Sequence, residues 1–178
     1  MTDGAEKDRK PAKSREDSLR EMFTPEIRNA MADVIRDLDR YRVERSDEAY
    51  TKLAVSILSA ASWGAVMSTP VTGFSKDGKG MELGTYESPA GKGYVLCTSA
   101  EEIAACPEPM IVMVNSGAVV QRAINDTEYK GIYINPYGKS PFLLQREHMI
   151  MILQLMEKSK QSGNGILRII WKGSKFVV

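Results

Sequence analysis

The chain has 178 residues, of which 43% are hydrophobic and 26% are charged, with a formal net charge of +1. This length and apolar content are sufficient for a core of ordinary size. The balanced charge gives no reason to expect nucleic acid or an anionic membrane as a partner. Two cysteines are too few for a disulfide framework and no apolar run is long enough to cross a bilayer, so we expect a cytoplasmic protein.

Residues 1–23 are predicted to form a disordered polar tail. Acidic residues are interleaved with basic ones there, and the apolar stretch of a secretory signal is missing. A basic arm that tethers the chain to nucleic acid is a weaker alternative, because the acidic residues cancel most of the positive charge. Residues 24–178 are predicted to form a single domain.

Two amphipathic helices open this predicted domain. Thr24 is a good N-cap, Pro25 suits the first helical position, and apolar residues then recur at helical spacing as far as Tyr41. Ser46 is predicted to cap a second helix, whose apolar stripe runs to Ala61. Two amphipathic helices in succession require a common surface to pack against.

The rest of the chain alternates between short apolar strands and helical segments. Strands are predicted within residues 63–72, 94–97, 110–114, 131–134, 142–144, 166–171 and 176–178, and helices within 99–106, 118–124 and 146–159. Such alternation favours an α/β fold with a mixed, partly parallel sheet packed by helices. The Gly- and Lys-rich residues 74–93 are predicted to be a loop or a loose hairpin.

The segment Gly73–Gly80 is similar to a phosphate-binding loop, which ends in Gly, Lys and then Ser or Thr. Gly80 stands where the magnesium-binding hydroxyl is needed. The residues that follow form a poor helix because of Gly84, Pro89 and Gly91, whereas the motif must open a helix. A surface loop is therefore favoured over a nucleotide site, and ligand binding by Phe74–Gly93 stays an alternative.

His148 is the only histidine, so any Cys or Ser hydrolase mechanism has to use it as the base. The possible thiol partners are Cys97 and Cys106, and nothing in the sequence places either of them beside His148. One histidine and two distant cysteines also lack a zinc-ligand spacing. We therefore predict no catalytic residue, no cofactor and no metal site, and we keep an enzyme or small-ligand protein using His148 or the loop as the alternative.

Two stretches of the chain have a distinctive order of elements. In Tyr94–Glu102 a strand runs into Thr-Ser and an acidic helix start, and in Gly131–Gly138 a strand runs into an Asn-Pro turn. Both stretches resemble the N-terminal domain of the SseB family, named for enhanced serine sensitivity. The likeness extends roughly from Ile27 to Glu157, and Cys97 departs from the aromatic residue common at that place. It implies a bacterial α/β domain of a regulatory or interaction protein, and the family has no agreed catalytic residues to carry over.

The sequence thus predicts a non-catalytic protein-interaction or regulatory module with an unknown protein partner, and homo-oligomerisation stays open. Asn135, Pro136 and Tyr137 are the candidate partner contacts, since an exposed aromatic residue at a turn can anchor a partner. The hairpin from Asn135 to Leu144 or the C-terminal strand is expected to form an open sheet edge that invites pairing. Neither nucleic acid nor a membrane is expected as a partner.

Overall fold

The computed structural model describes residues 13–77, 80–138, 141–161, 170–172 and 175–177. Within these ranges the helices are α1 Arg15–Met22, α2 Pro25–Ala30, α3 Ala32–Glu44, α4 Asp47–Ser62, α5 Ala100–Ala104, α6 Ser116–Asn125 and α7 Arg146–Gln161. The strands are β1 Val66–Phe74, β2 Met81–Leu83, β3 Thr85–Ser88, β4 Gly91–Leu96, β5 Met110–Asn115, β6 Gly131–Ile134, β7 Phe142–Gln145, β8 Ile170–Lys172 and β9 Lys175–Val177.

The described strands form an antiparallel sheet in the order β2-β1-β5, a mixed sheet in the order β3-β4-β6-β7, and the separate hairpin β8-β9. The parallel pair is β4 with β6, which are connected through α5, β5 and α6. An antiparallel bridge between Ser68 and Cys97 links the first two sheets. The predicted α/β fold with a partly parallel sheet is therefore confirmed, and β7 is an edge strand of its sheet.

The larger hydrophobic cluster lies between helices α3, α4, α6 and α7 and the strands. Its fully buried members from α4 are Leu53, Ala54, Ile57 and Leu58, and β4 and β6 contribute Leu96, Ile132 and Ile134. The helical spacing of the α4 residues places them on one face, as the sequence predicts. Burial of each large aliphatic side chain contributes about 1.5–3 kcal/mol, so this cluster anchors the α4 surface described below.

A second hydrophobic cluster lies on the other side of the strands. It includes residues of the segment that was expected to be a disordered tail, so that prediction is wrong for this part. Ser14 caps α1 by accepting a hydrogen bond from Asp17 N, and Leu19 and Phe23 are buried beside Val95 and Ile103. Part of the predicted tail is thus a helix in the structure, because its few apolar residues have a surface to cover. Residues 1–12 of the expected tail lie outside the described residues.

Several predicted elements differ from the structure in their boundaries. The first predicted helix is divided into α2 and α3 at Met31, whose N–H bonds to the carbonyl groups of Ile27 and Arg28. The strand expected from Trp63 begins only at Val66, because Trp63 is the C-cap residue of α4. Residues 166–169 of the strand expected over 166–171 lie outside the described residues, and the end of that strand coincides with β8.

Candidate binding groove

A groove of about 590 Å³ lies between the α2–α3 segment and the C-terminal half of α4, and we name it the Trp63 groove. It is lined by Glu26, Ile27, Ala30, Asp33, Val34, Val55, Ser56, Ser59, Ala60, Trp63, Gly64, Ala65 and Val66. Most of these side chains are apolar or small. The wall therefore offers contact area to a ligand and few polar groups to satisfy.

Small residues on one face of α4 create the space in the groove. Ser56, Ser59 and Ala60 recur at intervals of three and four residues, so they share the face that looks toward α2 and α3. Gly64 then adopts a positive φ of 76°, which suits a residue without a Cβ directly after a helix. Larger side chains on this face would fill the groove, so its depth depends on these small residues.

The polar residues beside the groove hold its shape. Asp37 is buried, accepts a hydrogen bond from the Ser56 hydroxyl, and forms a 3.2 Å ion pair with Arg36. This contact ties α3 to α4 along the groove. Because the Ser56 hydroxyl donates a hydrogen bond to the Asp37 carboxylate, both groups keep a partner when a ligand displaces water from this part of the groove wall.

Trp63 is the most exposed large hydrophobic residue among those described, with 90% of its surface accessible. Its backbone N–H bonds to the carbonyl groups of Ser59 and Ala60, which fixes it at the end of α4. A tryptophan ring buries a large area when it is covered, and such residues are frequent among the energetic hot spots of interfaces. The fixed backbone therefore presents an indole ring to solvent at the rim of the groove.

Two carboxylates give the rim a negative charge. Hydrogen bonds, first of all from the Thr24 side chain, lower the pKa of Glu26, so this carboxylate is ionised at neutral pH. Asp33 is also exposed and pairs with Arg36 at 2.7 Å. No lysine or arginine is among the residues that line the groove, so the charged side chains of its lining are these two carboxylates.

His148 lies elsewhere, packed on the larger cluster. Its Nδ1 atom is 2.7 Å from the hydroxyl oxygen of Tyr50, and the two rings meet edge to face. Burial lowers the pKa of His148 and raises that of Tyr50 above its ordinary value. Both cysteines belong to the second hydrophobic cluster instead, and burial raises the pKa of the Cys97 thiol. The structure therefore does not bring His148 and a thiol together.

The three candidate partner contacts at the Asn-Pro turn have different surroundings. Asn135 is completely buried at a φ of 52°, and its Oδ1 accepts a 2.9 Å hydrogen bond from Thr98 N. Pro136 is buried as well, whereas Tyr137 is half-buried and packs edge to face on Tyr86. Asn135 therefore ties the turn to Thr98, Pro136 is enclosed next to it, and of the three residues only Tyr137 keeps accessible surface for a partner.

The Gly- and Lys-rich segment connects β1 to β2. Ser75 and Gly80 close it through a 2.8 Å bond from Ser75 N to Gly80 O, and no helix follows, since β2 starts at Met81. Residues 78–79 lie outside the described residues. This hairpin arrangement lacks the helix N-terminus that a phosphate-binding loop requires.

Neither metal coordination nor membrane spanning has support in the described part of the chain. No group of three or more His, Cys, Asp or Glu side chains there is arranged to hold a metal ion. Among the same residues, no helix combines the length and the apolar character needed to cross a membrane.

No family model, curated protein or solved structure matches this chain. The resemblance to the SseB family consequently stays a prediction. The Trp63 groove itself has no motif in the sequence. The signals in the sequence are the small residues on one face of α4 and a tryptophan followed by a helix-ending glycine, whereas the pattern from Trp63 onward predicts a strand.

Proposed function

We propose that this chain is a non-catalytic protein-interaction module that binds a segment of a partner protein in the Trp63 groove. The observation that carries the proposal is the exposed Trp63 ring beside a groove with an apolar wall. A partner that covers an exposed tryptophan gains the free energy of burying its large ring. Regulatory or interaction roles in a bacterial protein are also what the resemblance to the SseB family implies, and the two cysteines without a disulfide framework favour a cytoplasmic location.

The chemistry of the groove indicates which segment it would accept. Aliphatic or aromatic side chains fit a wall formed by residues such as Ile27, Val34 and Val55. A lysine or arginine next to them would meet Glu26 and Asp33, and it would also interact favourably with the face of the indole ring. The proposed ligand is therefore a short segment in which a basic residue adjoins large apolar ones.

A small-molecule ligand is the second candidate function. The groove volume of about 590 Å³ falls within the range of small-molecule pockets, about 300–1,000 Å³. The predicted ligand regions, Phe74–Gly93 and His148, do not line this groove. If a small molecule binds, the groove is a better location for it than either of those regions.

Selection from a random peptide library displayed on phage, with the full chain as bait, tests the proposal. We expect the selected peptides to be enriched in lysine or arginine beside large apolar residues. Trp63→Ala should weaken their binding by about thirtyfold, as expected for the loss of a hot-spot residue worth about 2 kcal/mol. Glu26→Gln should weaken it about two- to fivefold at low salt and less at high salt.

Two variants are matched controls, because Val43 is an exposed apolar residue and Glu128 an exposed acidic residue, both outside the groove. Val43→Ala and Glu128→Gln should leave peptide binding unchanged. Peptides that bind Trp63→Ala as tightly as the unmodified chain would contradict the proposal. A thermal-shift screen with small molecules tests the second candidate function. A small molecule that binds in the groove should raise the melting temperature of the unmodified chain but not that of Trp63→Ala.

A further inference from the structure

The outer edge of β5 is a second surface that is independent of the Trp63 groove. β5 is the terminal strand of the sheet β2-β1-β5 and pairs only with β1 among the described strands. An edge strand exposes every second set of backbone N–H and C=O groups. The residues that direct these groups outward follow from the register of the pair.

Two residues of β1 form backbone hydrogen bonds on the side of the strand that faces away from β5. Ser68 exchanges two hydrogen bonds with Cys97, at 3.1 and 2.8 Å, and the carbonyl of Pro70 accepts a 2.7 Å bond from Gly84 N. Ser68 lies opposite Met113 in the register, and Pro70 lies opposite Ile111. In an antiparallel pair, residues opposite such positions also point their backbone groups away from the partner.

Ile111 and Met113 therefore direct their N–H and C=O groups to the open edge of β5. None of these four groups has a backbone hydrogen-bond partner elsewhere in the described part of the chain. The strand Met110–Asn115 contains no charged residue and no proline, and its register with β1 is continuous. It thus lacks the charges, prolines and bulges with which proteins usually protect an edge.

We propose that β5 pairs antiparallel with β5 of a second copy of this chain, about a two-fold axis through Val112. In this register Ile111 faces Met113 of the other copy and Met110 faces Val114, so every opposed pair is apolar. Two-fold symmetry requires a self-complementary surface, and an uncharged strand satisfies this because no like charges are opposed. The four open groups of each copy are then satisfied, and the two three-stranded sheets join into one of six strands.

Val112 is the position at which the proposal can be tested with least damage to the fold. Its side chain is partly exposed and belongs to neither hydrophobic cluster. On the proposed axis it faces its own copy in a pair without direct hydrogen bonds, with Cβ atoms about 5 Å apart. A charge placed at Val112 is therefore opposed by the same charge in a homodimer and by the opposite charge in a suitably mixed pair.

The experiment is sedimentation equilibrium of the full chain and of the variants Val112→Lys and Val112→Glu. We expect the unmodified chain to dimerise, and each variant alone to dissociate with a constant raised about tenfold or more. An equimolar mixture of the two variants should regain dimers, because lysine then faces glutamate. This recovery cannot arise from misfolded chains, and circular dichroism of each variant checks the fold. Val43→Lys, a charged substitution at an exposed residue of α3, should leave the dimer unchanged.

Three results would overturn the proposal. The first is an unmodified chain that stays monomeric at the highest soluble concentration, which would leave the edge to a strand of another protein or to no partner. The second is a dimer whose stability is the same in Val112→Lys, which would place the interface on another surface. The third is a mixture of the two variants that stays monomeric although each variant is folded.

Discussion

The Asn-Pro turn after β6 and the Trp63 groove differ in two respects, namely how conspicuous their sequences are and how much of their side chains is exposed. The turn has the conspicuous sequence, yet Asn135 and Pro136 are buried in it and serve the fold. The groove has no motif, yet it exposes an aromatic ring and carries two acidic side chains at its rim. The distinctive sequence of the turn therefore reflects an unusual backbone conformation. The candidate site, in contrast, is a space that exists because the side chains around it are small.

The difference has a simple physical basis. At Asn135 the residue has to adopt a positive φ and its side chain has to accept a hydrogen bond from a buried backbone N–H. Few residue types meet both requirements. A groove is restricted only by the absence of bulk across several helical turns, which many residues permit. We therefore expect substitutions in the turn to affect folding stability and substitutions at the groove to affect binding, and the predictions below test this contrast.

The largest expected effect is that of Asn135→Ala. The change removes the acceptor of the 2.9 Å bond from Thr98 N and the donor of the 2.9 Å bond to Thr98 Oγ1, and it places alanine at a φ of 52°. Loss of a buried partner, together with the poorer tolerance of alanine than of asparagine for the left-handed region, should cost about 2–4 kcal/mol. Urea denaturation should show this decrease in the free energy of unfolding.

Asn135→Gly separates the two contributions. Glycine tolerates the positive φ but lacks the amide, so it should lose less stability than alanine while still leaving Thr98 N without its partner. Equal losses in both variants would mean that the backbone conformation contributes nothing. A loss smaller than about 1 kcal/mol in Asn135→Ala would remove the contrast between the turn and the groove.

Much of the fold could be predicted from sequence, because it rests on local signals. Thr24, Ser46 and Ser99 cap helices where they are predicted to do so, and the apolar periodicity of α4 identifies its buried face. The helix α1 was missed because its stability depends on distant contacts, such as Leu19 with the second cluster. Mixed charge around so few apolar residues is typical of a tail when no packing surface is known.

The candidate site could not be predicted for a related reason. The groove brings together α2, α3 and the end of α4, and no local pattern reports that juxtaposition. The same holds for the burial of Asn135 beside Thr98, residues that are far apart in the chain. His148 lies beside Tyr50, whereas Cys97 belongs to the second hydrophobic cluster, and whether the chain is an enzyme stays a prediction.

A smaller effect is expected from acidification, through His148. Burial lowers its pKa in the folded chain below the ordinary value of about 6.5, so the unfolded chain binds a proton more readily. The resulting stabilisation is complete above about pH 6.5 and is lost as the pH falls through the lower pKa of the folded state. Urea denaturation between about pH 7.5 and about pH 5 should show this decline.

The control for this pH effect is His148→Gln. It removes the only histidine of the chain, while glutamine still offers a polar group to the Tyr50 hydroxyl. The carboxylates with lowered pKa, Glu26, Glu44 and Glu101, titrate below this pH range. A decline of stability between about pH 7.5 and about pH 5 that is the same in His148→Gln would show that another group is responsible.

The smallest expected change in stability, and the sharpest contrast with Asn135, is that of Trp63→Ala. Trp63 is 90% exposed, so its side chain loses almost no burial when it is truncated. The free energy of unfolding should change by no more than about 0.5 kcal/mol, as for other surface substitutions. The same variant is expected to lose most peptide binding, so stability and binding separate at this residue. A loss of more than about 1 kcal/mol in urea denaturation would mean that the indole ring supports the fold, and the groove would then resemble the Asn-Pro turn rather than contrast with it.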